Sequence, residues 1–345
     1  MANKIILFVL LASLIFDVIS GKLSPTTINI NGKIYNCVNF YKQPAFLNPS
    51  IKLQVPNLVK IQQQKSVNGL GLKSIGCPIG TVPILDRSKP NVNEFIRPPP
   101  LPPPIPMDHA VCSARVQTVL DDPNNKQFFG VDASLDLYKL DNVQTSQWSA
   151  ARIKLVNGAD NVEAGWMVNP DEYEDNDAHL YGGYNSGVQG CFSMDCPGFV
   201  QVSTDIPMGM TPHEYSVIGG QKASWNISID KHQDDGHWWL SITSEKHLIG
   251  YWPNDLFIAM KDSAKQVEFG GEVYGPRVGG APTMGNGLRA KSLDSATISN
   301  SRVIDQNFNV VSPKYTEYFN NCEGDGYSVL SRGSDDARVI YYGGP

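Results

Sequence analysis

Two glutamates stand far apart in the chain, each in a glycine- and aromatic-rich setting. Glu163 lies in the run VEAGW (Val162–Trp166) and Glu272 in VEFGGEV (Val267–Val273). Two carboxylates held close together cannot both ionise cheaply, so a proton is shared. One group then takes a proton from water while the other donates a hydrogen bond to a substrate carbonyl. Such a pair titrates as a unit, commonly below neutral pH. Signatures of competing chemistries are missing: there is no His-Glu-x-x-His, Gly-x-Ser-x-Gly, P-loop or Asp-Thr/Ser-Gly. Glu268 shares a strand face with Glu272 by alternation and is its competitor within that motif. Gly270 and Gly271 allow another backbone or a ligand to come close.

Glu163 and Glu272 can meet only through the fold, and the local patterns point to strands. Short alternating runs recur, such as Gly198–Ser203, Ala223–Ile229 and His237–Thr243. Residues 230–236, containing Asp234-Asp235-Gly236, read as the turn joining the last two. Asn31-Gly32 between Thr27–Ile30 and Lys33–Cys37 is a two-residue hairpin turn. Long 3.6-residue periodicity is missing. The expected fold is all-β: an antiparallel, jelly-roll-like sandwich preceded by a small β-containing unit. Of Trp238 and Trp239, adjacent on one strand, at least one is expected to leave the core.

Residues 1–21 read as a signal peptide, with Lys4 ahead of an apolar run from Ile5 to Phe16 that is too short to span a bilayer. Arg97–Pro106 has seven prolines in ten residues and reads as an extended linker. It separates two regions of opposite charge. Residues 22–107 carry ten Lys/Arg against two Asp/Glu, a balance of +8; residues 108–345 carry 17 against 31, a balance of −14. An intramolecular partnership explains this better than nucleic acid, which secretion makes a poor partner. The expected organisation is signal peptide 1–21, basic propeptide 22–96, linker 97–107 and acidic domain 108–345.

Six cysteines in an oxidising compartment favour disulfides. Local spacing predicts Cys191–Cys196 and Cys37–Cys77. Metal binding by Cys191 and Cys196 would need a second ligand pair, which the sequence lacks, and the histidines show no ligand spacing. Asn226 in Asn-Ile-Ser is the glycosylation sequon.

Taken together, these motifs resemble the neprosin family of plant secreted glutamic peptidases. Asn36–Phe46 and Gly76–Ile84 resemble its activation peptide. Glu163–Pro170, Gly190–Gln201, Gly236–Leu240, Gly250–Pro253, Phe269–Val273 and Met284–Gly287 resemble its catalytic domain. The resemblance implies a secreted, acid-active, proline-directed endopeptidase made as a zymogen, with Glu163 and Glu272 as catalytic residues and no cofactor or metal. Expected partners are a proline-containing peptide or protein and the chain's own propeptide as inhibitor, with no nucleic acid or membrane and a monomeric state. Trp166, Tyr184, Trp238, Trp239 and Trp252 are the expected substrate-binding aromatics. Two departures stand out. Phe269 occupies a usual tryptophan position, and the chain stops before the family's final cysteine, which leaves Cys322 to find another partner such as Cys112. The alternative is a non-catalytic extracellular protein that holds proline-rich protein or glycan; a glycosidase would also use two carboxylates.

Overall fold

A computed structural model describes residues 27–48, 51, 76–87, 109–120, 127–187, 189–194, 197–243, 245–276, 280–314, 316–333 and 338–345. The signal peptide and the linker of the sequence reading lie outside these residues.

The main body is two packed antiparallel sheets. The seven-stranded sheet runs, in spatial order, β17 (Thr316–Asn320), β4 (His109–Thr118), β14 (Gln266–Pro276), β6 (Trp148–Asn157), β7 (Asp160–Val168), β8 (His179–Ser186) and β9 (Gly190–Phe192). The nine-stranded sheet runs β10 (Val200–Gln201), β13 (His247–Trp252), β12 (Trp238–Ile242), β11 (Ser224–Lys231), β5 (Gly130–Asp136), β15 (Ala296–Ile304), β19 (Val339–Gly343) and β18 (Ser328–Arg332), with β16 (Val310–Val311) also on β15. The fold is therefore the expected β-sandwich. The reason is strand alternation: Ala151, Ile153 and Leu155 of β6 meet Val131, Ala133 and Leu135 of β5 in one continuous buried core.

The hairpin expected around Asp234-Asp235-Gly236 forms between β11 and β12, with Ile229 opposite Leu240. Trp238 and Trp239 depart from expectation. They do point to opposite faces, but both are buried. Trp238 enters the core, where its Nε1 donates to the Met260 carbonyl at 3.2 Å. Trp239 lies beneath the rings of His232 and Tyr251, at centroid distances of 5.0 and 4.7 Å, and donates to Asp235.

A third sheet, β1 (Thr27–Ile30), β2 (Lys33–Asn39) and β3 (Thr81–Leu85), forms the N-terminal unit. Asn31 and Gly32 take positive φ of 50° and 89°, as a tight turn between right-handed strands requires. Cys37–Cys77 ties β2 to the segment just before β3, as the spacing predicted. This unit attaches beside β8. Lys33 pairs with Asp175, Arg87 pairs with Glu172, Asn31 donates to the Thr211 carbonyl, and Gln43 exchanges hydrogen bonds with the Gln201 backbone. No helix among the described residues is long and apolar enough to cross a membrane.

Cys112–Cys322 is the second disulfide, so Cys322 does find Cys112. Cys191 is disulfide-bonded, and Cys196 lies outside the described residues.

Candidate catalytic face

The outward face of the seven-stranded sheet is a grid set by register. One row reads Glu268, Lys154, Glu163, Gly183 and Phe192 across β14, β6, β7, β8 and β9. The next reads Gly270, Arg152, Gly165 and Tyr181; the third, Glu272, Ala150, Met167 and His179; the fourth, Tyr274 and Trp148. Glu163 and Glu272 thus share one face, with the Arg152 row between theirs.

Arg152 joins them. Its Nη2 donates to Glu272 Oε2 at 2.7 Å and its Nη1 to Glu268 Oε2 at 2.8 Å. Its Nε stands 3.8 Å from Glu163 Oε2 and has no hydrogen-bond partner. Lys154 Nζ approaches Glu163 Oε2 at 2.9 Å, and the Tyr181 hydroxyl donates to Glu163 Oε1 at 3.3 Å. Arg115 Nε lies 3.2 Å from Glu268 Oε1. No hydrogen bond joins Glu163 directly to Glu272 among the described residues. The expectation of one shared proton gives way to one shared guanidinium.

The electrostatics follow from that cation. Burial pushes the Glu163 carboxyl up, but Lys154 and Arg152 outweigh burial and hold it below the usual carboxylate range. Burial likewise opposes the charge on Glu268, and Arg152 and Arg115 overcome it. Burial disfavours the charge of Arg152 itself, while Glu272, Glu268 and Glu163 more than compensate. Burial and the charge of Glu163 push the Tyr181 phenol well up, so it keeps its proton and remains a donor. Glu272 is the more open of the two glutamates, with 17% of its side chain exposed against 7% for Glu163.

Two glycines make the close packing around Arg152 possible. A Cβ on its cross-strand partner Gly165 would lie 1.8 Å from the Ala151 carbonyl oxygen, and one on Gly270 would lie 2.3 Å from that of Ala114. Gly271 faces the core, where a Cβ would meet Met284 and Tyr342 at 2.6 Å.

The aromatics expected to bind substrate lie elsewhere. Trp166 is fully buried on the core side of β7, and its Nε1 donates to the Asp136 carbonyl at 2.8 Å. Tyr184 and Trp252 also pack into the core, and Trp238 and Trp239 belong to the other sheet. Parity along the strand is the reason: Trp166 is three residues from Glu163 and so must face the other way. The aromatics on the glutamate face are Tyr181, Phe192, Trp148, Tyr274 and Phe319, the last lying under the Arg115 guanidinium. Arg152 and Lys154 went unrecognised in sequence, although their alternation with Ala151, Ile153 and Leu155 marks an outward cationic face.

Asn226 is exposed on β11, and its side-chain oxygen accepts from the Ser134 hydroxyl. The grouping Cys112, Cys322 and Asp325 has metal-ligand atom types, but its two sulfurs are spent in the disulfide.

Comparison with known proteins adds the family. Among solved structures, scytalido-glutamic peptidase with a transition state analog inhibitor is 10% identical, covering 68% of this chain and 99% of its own, at a TM-score of 0.38. SCP-B, a member of the Eqolisin family of peptidases in complex with the tripeptide Ala-Ile-His, is 9% identical with the same coverages and a TM-score of 0.35. The family model Neprosin matches residues 145–345, more than half the chain and the whole stretch that carries Glu163, Arg152 and Glu272, so this chain belongs to the neprosin family.

Proposed function

We propose that the protein is a glutamic peptidase, secreted as a precursor, that hydrolyses peptide bonds next to proline in acidic surroundings. Family membership supports the peptidase, and the observation that carries the site is the convergence of Glu163 and Glu272 on Arg152 on one face of one sheet.

The roles follow from surroundings. Glu272, the more open carboxylate, takes the proton from the attacking water. Glu163 is enclosed by Lys154, Arg152 and Tyr181, and this group of donors offsets the negative charge that develops on the carbonyl oxygen. The proton held by Glu272 then passes to the leaving nitrogen. Acid conditions protonate the surface carboxylates of the −14 domain and loosen its hold on the +8 N-terminal region. That region acts as the inhibitor of the precursor. Its described residues reach Tyr173, Asp175 and Glu172 beside β8, and none of them bonds to Glu163, Arg152 or Glu272.

The test is digestion of a peptide library from pH 3 to 7, read by mass spectrometry, with wild-type and Glu272→Gln chains. Cleavage next to proline by the wild type alone is the expected result. Equal cleavage by both chains, or none by either at any pH, would overturn the reading.

A further inference from the structure

We propose that Trp148 and Tyr274 form the subsite that seats the substrate's proline ring, next to Glu272; this rests on Glu163 and Glu272 being the catalytic pair. The two rings face each other across the β6–β14 ladder with centroids 6.3 Å apart and planes inclined by only 21°. Both are half-buried, so one surface of the pair remains open while the other is packed. Trp148 packs against a small apolar cluster of Ala150, Met167 and Tyr181, of which Ala150 and Met167 lie in the row of Glu272 and Tyr181 in that of Arg152.

Position fits the chemistry. Tyr274 is two residues beyond Glu272 on the same face, a step of about 7 Å along a strand. An extended peptide advances about 3.3 Å per residue, so a ring on this pair lies within about two residues of a bond held at Glu272. The flat, uncharged pair suits a pyrrolidine ring, whose backbone is already extended and loses little freedom on docking. Sugar rings stack on aromatics equally well, but they also need flanking polar groups for their hydroxyls. Here Ala150, Met167 and Pro276 flank the pair on the same face, and the His109 ring lies 5.7 Å from that of Tyr274. Of the other aromatics on this face, Phe192 lies 6.3 Å from Tyr181 at a 44° tilt in the row of Glu163, and Phe319 is covered by the Arg115 guanidinium at 3.7 Å.

The experiment uses the full chain after acid incubation and two peptides that differ by Pro→Ala at the cleavage site. Trp148→Leu and Tyr274→Leu should each lower the Pro-over-Ala ratio of kcat/KM by about three- to tenfold. Trp148→Phe should restore most of the preference. A second arm measures binding of a ten-residue proline-rich peptide to Glu272→Gln chains with and without Trp148→Leu, and Trp148→Leu should weaken it. An unchanged ratio in correctly folded variants overturns the subsite and leaves the peptidase reading intact. If wild type cleaves neither peptide, the peptidase reading falls and binding decides: loss of binding with Trp148→Leu upholds the subsite, and equal or absent binding overturns it.

Discussion

Arg152 and Glu272 are bound through one terminal nitrogen at 2.7 Å, and the same guanidinium carries Glu268 on its other terminal nitrogen. With its side chain only 3% exposed, Arg152 is a buried cation surrounded by three carboxylates. Removing such a cation leaves uncompensated buried charge, which costs about 3–5 kcal/mol. Arg152→Met should therefore unfold at markedly lower denaturant than wild type at pH 7. Glu163 and Glu268 have depressed pKa values, so their contribution is full above the ordinary carboxylate range near 4.3 and is lost as pH falls through their folded values. The deficit of the variant should shrink as pH falls below about 4. A deficit that stays constant from pH 7 to 3 would refute the electrostatic account.

Glu272→Gln should cut turnover by at least about 10²-fold, the usual contribution of general acid–base catalysis, and Glu163→Gln by about 10²-fold, because it disturbs the donors that face the carbonyl oxygen. Steady-state rates on a proline-containing peptide, alongside thermal melts to confirm folding, check this. Near-normal turnover in either variant removes that glutamate from the mechanism.

Asp175 links the N-terminal unit to the domain through Lys33, and it also accepts from His179 Nε2 at 2.8 Å. Burial raises its pKa, but the His179 and Lys33 hydrogen bonds prevail and the net shift is downward. The contribution of Asp175 is thus full above the ordinary Asp value near 3.9 and is lost as pH falls below it through the depressed folded value, while the other acidic groups of the domain let go earlier. Asp175→Asn should loosen the N-terminal unit already at neutral pH, seen as faster limited proteolysis of residues 27–87. Equal rates for variant and wild type would show that the pair contributes nothing to attachment.

Acidified precursor should be cut in or just after Arg97–Pro106, and the Glu272→Gln precursor should not. Intact-mass analysis across pH 3 to 7 separates the two outcomes. Equal processing would assign the cut to another protease.

Gly270→Ala should destabilise the domain, because the added methyl meets the Ala114 carbonyl oxygen, a backbone atom that cannot rotate away. Gly32, where a Cβ meets nothing within 4 Å, provides the contrast, although its positive φ adds strain of its own. A thermal melt that ranks Gly270→Ala as the milder change would contradict the packing argument.

The strand alternation, the Asn31-Gly32 turn and the β11–β12 hairpin were legible because each is a local pattern. The pairing of Glu272 with Ala150 was not, because register between strands more than a hundred residues apart leaves no local trace, whereas Glu163 meets Lys154 across the short turn between β6 and β7. The aromatic expectation failed on parity, not on composition. Trp166 is near Glu163 in sequence, but an odd separation on a strand places it across the sheet. Counting by twos from Glu272 reaches Tyr274, and counting by twos from Arg152 reaches Ala150 and then Trp148. Those positions were open to a reader who knew that Arg152 faced outward.

The Cys112–Cys322 bond joins β4 to the segment just after β17, 210 residues later. Any single cut between those two positions yields two chains that are still one covalent body. The chain is thereby able to suffer a nick between them without shedding a piece. The sandwich would hold the halves in register, and the wound would be visible only after reduction. Tolerance of a backbone cut is thus built into the connectivity of the chain as much as into its packing.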